Sequence, residues 1–264
     1  MSISDAMKRV AASYAWHRAL GNQVVPGQHC HVIRDPTHPD VWSSNHASGV
    51  TAESDPQIDA VFEELDAHLG HCAHRLVSTD CFTPEKFVAE LAMRDYRELA
   101  PTLQMFLPGE LAPTATAAVQ LRPVTTEADW ETLFALVRAD HEEGARTNRV
   151  ALPEAVSRGI VEGFRKKAGP STMYLAEQGG EPCAYGAAIV CPNGLGMIED
   201  LYTVPASRGR GIASTLIQTG VFMLRQCGCD AIFLGAHISE RPKYLYRKLG
   251  FLPLLLTREF VLEQ

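Results

Sequence analysis

Apolar residues in the second half of the chain recur at two spacings, one typical of helices and one typical of strands. Helical spacing of three or four residues is found at Trp130, Leu133, Phe134 and Val137. A second helix is predicted after Pro153. Met173 to Glu177 and Cys183 to Val190 are runs of strand length, and Gly179 and Gly180 between them favour a tight turn. The pattern therefore predicts two helices followed by a strand hairpin.

The alternation of helices and strands continues to the end of the chain. Met197 to Val204 is an apolar strand, and a helix with its apolar residues on one stripe follows from Gly211. Ala231 to Leu234 is a short buried strand, and Leu254 to Leu262 is expected to close this half as the last strand. Ser239 is placed to cap a helix between these two strands. The order of elements is typical of an α/β fold.

The first half of the chain carries weaker signals. A strand is expected within Val41–Val50 and another around Leu76, with helices starting at Asp55 and at Thr83. We expect the same types of element as in the second half, with less certain boundaries.

A weak internal similarity connects the two halves. Aligning Phe87–Leu107 with Pro242–Leu262 superimposes two helix and strand units. The identity is slight, so a chance match is one explanation and a worn copy of the second half is the other. In this alignment Leu91 stands where the second half has Tyr246, and the first half has no counterpart of the sequence RGRGIA.

The length of 264 residues exceeds the usual size of one domain, about 100 to 200 residues. Leu107 to Gln120 contains two prolines, small residues and threonines, with little apolar periodicity, which indicates a linker. We therefore expect a first domain at residues 1–112, a linker at 113–118 and a second domain at 119–264.

Composition and charge exclude several classes of function. The formal net charge is −7 and the sequence pI is about 5.8, whereas binders of nucleic acid or anionic membranes normally display a basic face. We expect neither as a partner. The N-terminal sequence lacks the apolar core of a signal peptide and no apolar run has the length of a membrane span, so a cytoplasmic protein is expected. Seven cysteines at irregular spacings indicate reduced thiols, and the histidines follow no ligand spacing, so no metal is expected.

The sequence between Met197 and Ala213, MIEDLYTVPASRGRGIA, is a strand, a break at Pro205, a loop of Arg and Gly, and the start of a helix. Gly209 and Gly211 lack Cβ, so the backbone can turn tightly and its N–H groups can approach an anion closely. The free N–H groups and partial positive charge of a helix N-terminus add to this. The segment therefore predicts a phosphate site, and a pyrophosphate is the natural ligand.

Two motifs in the second half resemble those of the GNAT superfamily, the acyl-CoA-dependent N-acyltransferases. They are the R-x-x-G-x-A loop of Arg208, Gly211 and Ala213, and the downstream sequence YRKLGF from Tyr246 to Phe251. The resemblance implies an α/β fold with a mixed α+β sheet, splayed between its two central strands, with acetyl-CoA bound in the split as co-substrate. It also implies direct transfer of the acetyl group to an amine, without an acyl-enzyme. With the internal similarity, it suggests two tandem GNAT-like halves.

The resemblance assigns contacts to acetyl-CoA along the strand, the loop and the helix. Backbone groups of the strand end would bind the pantetheine arm, and an N–H near Thr203 would stabilise the oxyanion of the transition state. Arg208 and Arg210 would add positive charge, unless one of them only faces solvent. Ser239 stands where many members have Asn and is a weaker candidate. The implied cofactor-binding residues are Leu201, Tyr202, Thr203, Arg208, Gly209, Arg210, Gly211, Ile212, Ala213, Ser214 and Ser239.

Two residues are catalytic candidates by the same resemblance. Tyr246 occupies the general-acid position, where a phenol of reference pKa near 10 protonates the departing CoA thiolate. Packing between helix and sheet is the alternative role for this side chain. Glu199 matches a carboxylate that some members use, through a water, to deprotonate the amine, and Asp200 is the alternative. Strand alternation places Glu199 on one face with Leu201 and Thr203.

The acceptor implied by the family is a primary amine of a small molecule or peptide. The segment Asp140, His141, Glu142, Glu143 falls in the region that lines the acceptor site in this family. An acidic cluster there suits a polyamine or another cationic amine. A solvated helix end is the alternative, because runs of charge are usually exposed.

Two other functions compete with acetyl transfer. The sequence GRGIAS satisfies a loose dinucleotide-binding fingerprint, but that fingerprint requires an acidic residue at the end of the next strand, and Asp230 begins that strand. A protein of the same fold that binds or senses acyl-CoA without catalysis is the second alternative, against which Tyr246 argues. The first half is expected to lack a cofactor and either to cover the acceptor side or to mediate a homodimer, unless it is an unrelated α/β domain.

Overall fold

The structure is a computed structural model that describes residues 2–146 and 151–263. These residues fold into two compact units. The first unit comprises Met1–Gln104, Ala236–Glu240 and Leu254–Gln264, and the second comprises Met105–Gly235 and Arg241–Pro253. The C-terminal segment therefore belongs with the first part of the chain, although we expected it in the second domain.

The helices and strands follow in this order. The first unit begins with α1 (Ile3–Ala19), β1 (Gln23–Pro26), β2 (His31–Arg34), β3 (His46–Ser48), α2 (Asp55–Leu69), β4 (His74–Thr79), α3 (Glu85–Met93) and β5 (Arg97–Glu98). The chain continues with β6 (Thr102–Leu107), β7 (Gln120–Pro123), α4 (Glu127–Arg146), α5 (Glu154–Lys166), β8 (Ser171–Gln178), β9 (Glu181–Val190), β10 (Leu195–Thr203), α6 (Ile212–Gln226), β11 (Ala231–His237), α7 (Pro242–Lys248) and β12 (Leu252–Glu263).

Each unit contains a mixed arrangement of strands, which confirms the predicted α/β class. In the first unit β1, β2 and β3 pair antiparallel in turn, β3 and β4 pair parallel, and β12 pairs antiparallel with β4. In the second unit β7, β8, β9 and β10 pair antiparallel in turn, and β10 and β11 pair parallel. One helix, α2 or α6, connects the two strands of each parallel pair. The two units therefore share one order of elements.

The final strand does not complete the second unit. Arg258 to Glu263 of β12 pair with Thr79 to His74 of β4, in the first unit. We expected this strand to close the second half. Alternating apolar residues show that a segment is a strand, but they do not specify which strand it pairs with.

The segment 113–118, expected to be a linker, lies within the second unit and contacts α6. The backbone N–H of Ala117 donates to Thr215 Oγ1 at 2.8 Å, and Gln218 Nε2 donates to the carbonyl of Thr114 at 3.5 Å. Prolines and small residues thus mark an irregular segment here, and that segment packs on its own unit.

The core of the first unit forms where α2 packs on the strands. The apolar residues of this helix recur every three or four positions and are buried, and each fully buried Leu, Ile, Val or Phe contributes about 1.5–3 kcal/mol. They are Ile58, Val61, Phe62, Leu65 and Leu69. In the second unit α6 has the same relation to its strands, with Ile212 and Leu216 in a buried cluster.

Candidate active site

A bulge interrupts β10 at the position of the predicted base. The register between β10 and β9 shifts between Glu199 and Tyr202, so Asp200 and Leu201 lie opposite a single residue of β9. Asp200 adopts φ 56°, which is uncommon for a residue other than glycine. Glu199 and Tyr202 pair with residues two apart on β9, and such residues point to one face. Our prediction that Glu199 shares a face with Leu201 and Thr203 is therefore wrong.

Leu201 lies on the opposite face and packs toward α6. A Cβ on Gly186 would lie 2.7 Å from Leu201 Cδ2, so the missing side chain at position 186 leaves room for Leu201. Leu201 also packs against the cluster that contains Ile212 and Leu216. The bulge therefore separates the two parts of the predicted site, with Glu199 on one face of the sheet and the wall toward α6 on the other.

The parallel pair of β10 and β11 ends before β10 does. Leu195 to Ile198 pair with Ala231 to Leu234, whereas β10 continues to Thr203. Within the described residues, no pairing with β11 extends past Ile198. Beyond Ile198, the described part of β10 pairs with β9 and not with β11.

The loop after β10 turns into α6 through two glycines in the left-handed region. Gly209 has φ 75° and Gly211 has φ 83°, conformations that favour glycine. A Cβ on Gly211 would also lie 3.3 Å from the carbonyl oxygen of Ala115. In the part of the chain that the structure describes, no side chain caps α6, which begins at Ile212. Its first N–H groups and the positive end of its dipole are therefore available to an anion.

These elements surround a cavity of about 220 Å³. It brings together residues from the end of β10, the loop, α6 and α7. The predicted residues that line it are Leu201, Tyr202, Thr203, Arg208, Ile212, Ala213 and Tyr246. Tyr246 is buried, and its ring centroid lies 6.4 Å from that of Phe251. Sequence reasoning missed four lining residues, Ser207, Leu216, Pro242 and Leu245.

The remaining predicted residues lie outside this lining. Gly209, Gly211 and Ser214 are next to lining residues in sequence, and Arg210, between the two glycines, donates to Gln178 Oε1 at 3.1 Å. Ser239 is exposed and belongs to the first unit. The helix that it was expected to cap, α7, has Arg241 at its N-cap and no side-chain cap among the described residues. The prediction of a cap at Ser239 is therefore wrong.

Arg208 is held by an acidic residue of α4. Its two terminal nitrogens donate to the two carboxylate oxygens of Glu143 at 2.6 Å each, and its Nε donates to the carbonyl of Thr203 at 2.8 Å. Glu143 also accepts from the Tyr202 hydroxyl at 3.3 Å. Asp140, one turn earlier, accepts from the Tyr185 hydroxyl at 3.4 Å. These two carboxylates face the sheet, so the alternative of a solvated helix end does not describe them.

Burial and these carboxylates determine the protonation of the two phenols. Burial, followed by the nearby charge of Glu143, raises the pKa of Tyr202 to about 12. Burial and Asp140 raise the pKa of Tyr185 well above its ordinary value. Both phenols therefore remain hydrogen-bond donors across the physiological pH range. The pKa of Arg208 is raised by its hydrogen bonds to Glu143, so this side chain stays charged.

The described residues provide neither a metal-binding cluster nor a helix that could span a membrane. Within residues 2–146 and 151–263, no group of three or more His, Cys, Asp or Glu residues is arranged to hold a metal ion. In the same residues, no helix combines the length and the apolar character needed to cross a bilayer.

Comparison with known proteins agrees with the resemblance in the sequence. The family model described as Acetyltransferase (GNAT) family matches residues 130–251. A mycothiol acetyltransferase from Thermomonospora curvata is 29% identical over 147 residues, which cover 55% of this chain and 47% of that protein. The chain thus spans about half the length of this curated relative.

Solved structures extend the comparison to the whole chain. A GCN5-related N-acetyltransferase from Kribbella flavida superimposes with a TM-score of 0.70 at 14% identity, covering 97% of this chain and 95% of that one. A tandem GNAT protein from the clavulanic acid biosynthesis pathway has a TM-score of 0.59 at 10% identity, covering 100% and 97%. At these identities the likeness concerns the fold, and it confirms the predicted fold of two tandem GNAT-like halves. The similarity to the acetyltransferase (GNAT) family in sequence lies at residues 130–251.

Proposed function

We propose that the second unit transfers an acetyl group from acetyl-CoA directly to a primary amine of a small molecule or peptide. The observation that carries the proposal is the cavity of about 220 Å³, which meets the end of β10 beyond its pairing with β11, the start of α6, which no described side chain caps, and the phenol of Tyr246. These three features supply what the reaction needs: a binding edge for the acyl chain, an anion site and a proton donor.

The diphosphate of acetyl-CoA binds at the loop and the first turn of α6. Glycines at 209 and 211 let the backbone approach the anion, and the amides from Gly209 to Ser214 donate hydrogen bonds to it. The pantetheine arm follows the end of β10, past Leu201 to Thr203. In the proposed complex the thioester lies near Tyr246, which borders the same cavity.

The chemical step forms one C–N bond and breaks one C–S bond. The neutral amine attacks the thioester carbonyl carbon, and the oxyanion that develops is stabilised by a backbone N–H near Thr203. Before the attack, Glu199 accepts a proton from the ammonium form of the amine through a water. When the intermediate collapses, Tyr246 protonates the leaving thiolate, and the proton that the nitrogen loses as the amide forms returns to the Tyr246 oxygen. A thiol has a reference pKa near 8.5 and a phenol near 10, so the transfer requires only a modest driving force.

The proposed acceptor is a cationic amine. Glu199 lies on the same face of β10 as Tyr202, and the carboxylate of Asp140 points toward that face, whereas the charge of Glu143 is paired with Arg208. Negative charge favours an amine that is positively charged before it loses its proton. The name of the curated relative concerns a protein about twice as long as the matching segment, so its acceptor is not assigned to this chain.

The first unit is proposed to bind no acetyl-CoA. Its crossover helix α2 begins with a capping box, in which Gln57 Oε1 accepts from the backbone N–H of Ser54 at 3.0 Å. The backbone N–H of Ser54 is thus hydrogen-bonded within the chain. In the alignment of the two halves, Leu91 replaces Tyr246, and this leucine is fully buried.

The proposal is tested by measuring thiol release from acetyl-CoA across a panel of amines, with polyamines and amino acids first. The proposal predicts release that depends on the amine, together with an acetylated product. Tight binding of acetyl-CoA without acetylation of any amine would instead favour a sensor of acyl-CoA. Failure to bind acetyl-CoA at all would refute both functions.

A further inference from the structure

Glu143 makes a bidentate charged contact beside the proposed active site. Its two carboxylate oxygens accept from the two terminal nitrogens of Arg208 at 2.6 Å each, a bidentate geometry. Bidentate pairs fix both partners in orientation as well as in distance. The two residues are 65 positions apart, on α4 and on the loop before α6. The contact therefore joins two elements that the local backbone does not hold together.

The pair also extends to the end of β10. Arg208 uses its remaining donor nitrogen, Nε, on the carbonyl of Thr203 at 2.8 Å, and its guanidinium carbon lies 5.7 Å from the ring centroid of Tyr202. Glu143 accepts from the hydroxyl of that same tyrosine. Arg208, Tyr202 and Thr203 all line the cavity, whereas Glu143 does not. Glu143 thus contacts the cavity only through the residues that form its wall.

We infer that Glu143 is a positioning residue for acetyl-CoA binding, which rests on the proposed function. It holds the guanidinium of Arg208 against the end of β10 and anchors the hydroxyl of Tyr202, so that one wall of the cavity is fixed before acetyl-CoA enters. Binding then costs less ordering of these side chains, which is the general advantage of a preorganised site.

The sign of the effect separates this inference from a purely electrostatic role. A carboxylate close to a diphosphate site repels the ligand, so its neutralisation alone would strengthen binding. If Glu143 positions Arg208, its neutralisation weakens binding instead, because the guanidinium loses its bidentate partner. The two roles therefore predict opposite changes in the dissociation constant.

The test compares Glu143→Gln with Glu127→Gln by titration calorimetry with acetyl-CoA. Glu127 forms a similar bidentate pair with Arg165, with nitrogen–oxygen distances of 3.0 and 2.6 Å. Neither residue lines the cavity. For Glu143→Gln we expect the dissociation constant and KM for acetyl-CoA to rise about five- to tenfold with kcat within about twofold, as for loss of ground-state binding. Glu127→Gln should match the wild type.

Two further variants keep the inference falsifiable. In an Arg208→Gln background, Glu143→Gln should add no further loss, because its effect passes through Arg208. Glu143→Asp, which retains the charge, should keep more affinity than Glu143→Gln. An unchanged or lower dissociation constant in Glu143→Gln, or an equal loss in the Arg208→Gln background, would overturn the inference. Wild-type protein that fails to bind acetyl-CoA would refute the proposed function itself.

Discussion

The two crossover helices occupy the same place in the order of elements but begin with different chemistry. In the first unit α2 begins after Ser54, which forms a capping box with Gln57 in the first turn of the helix. Asp55 also lies in this first turn. In the second unit α6 starts behind Gly211 in the left-handed conformation, with no side-chain cap among the described residues. The same topology thus presents a closed helix end in one unit and an open one in the other.

The difference supports the proposal that only the second unit binds acetyl-CoA. The side chain of Gln57 accepts from the backbone N–H groups just before α2, and a negative residue in the first turn occupies the favourable end of the helix dipole. Around α6 the cavity measures about 220 Å³, whereas the cavity between α1 and the strands of the first unit measures about 40 Å³. The second volume accommodates water-sized molecules and excludes a nucleotide.

The largest expected effect is a loss of kcat at Tyr246, the proposed proton donor, which Leu91 replaces in the first unit. Tyr246→Phe should lower kcat by about 10²- to 10⁴-fold, the usual contribution of a general acid, with the dissociation constant for acetyl-CoA within about twofold. Steady-state kinetics and calorimetry check both values. Tyr244→Phe is the matched control, since Tyr244 lies on the same helix and is 61% exposed. Equal activities of the two variants would remove Tyr246 from the mechanism.

The next effect comes from giving α6 the charge that α2 carries. Ala213→Asp places a carboxylate in the first turn of α6, as Asp55 does in α2, and Ala213→Asn has the same shape without the charge. We expect acetyl-CoA to bind the Asp variant about tenfold more weakly than the Asn variant, because like charges a few ångströms apart repel by about 1 kcal/mol or more. Calorimetry at low salt measures the ratio. A ratio of one would show that charge at this helix end does not determine binding.

A smaller effect is expected at the closed helix end. Gln57→Ala removes the acceptor for the backbone N–H groups of Glu53 and Ser54 and should destabilise the protein by about 1 kcal/mol. Chemical denaturation measures the loss. The affinity for acetyl-CoA should be unchanged, because the proposed site is in the second unit, and a loss of affinity in this variant would contradict the contrast between the two units.

The smallest expected effect is on the pH dependence of stability, through His74 of the first unit. His74 is buried, its Nε2 lies 3.1 Å from the carbonyl of Asn45, and burial lowers its pKa. The folded state therefore keeps His74 neutral, while the unfolded chain takes up a proton as the pH falls below about 6.5, so stability decreases on that side. His74→Gln should reduce the fall in Tm between pH 7 and pH 5.5 by about 2 °C. An unchanged pH dependence would assign the fall to other groups.

Local signals in the sequence predicted most of the second unit. Gly179 and Gly180, with φ 62° and 86°, form the predicted turn of the hairpin. The glycines of the loop before α6 likewise have positive φ, as their place after a strand indicated. Such features depend on a few adjacent residues, which is why the order of elements and most of the cavity wall follow from the sequence.

Features that depend on distant residues were not predictable in this way. The bulge at Asp200 inserts one residue without a glycine to mark it, and it reversed the face expected for Glu199. Helix α1 buries mainly small or polar side chains, such as Ala6 and Ser13, so its apolar pattern is weak. The pairing of β12 with β4 and the pair of Glu143 and Arg208 join segments far apart in the chain, and only the fold brings them together.

The most direct test of the contrast between the units is a crystal structure of the protein soaked with coenzyme A. The account predicts one molecule per chain, with its diphosphate on the main-chain amides between Gly209 and Ser214 and its sulfur near Tyr246. The account would be contradicted if no coenzyme A were bound at the loop before α6 and the first turn of α6, or if a nucleotide were bound at the beginning of α2.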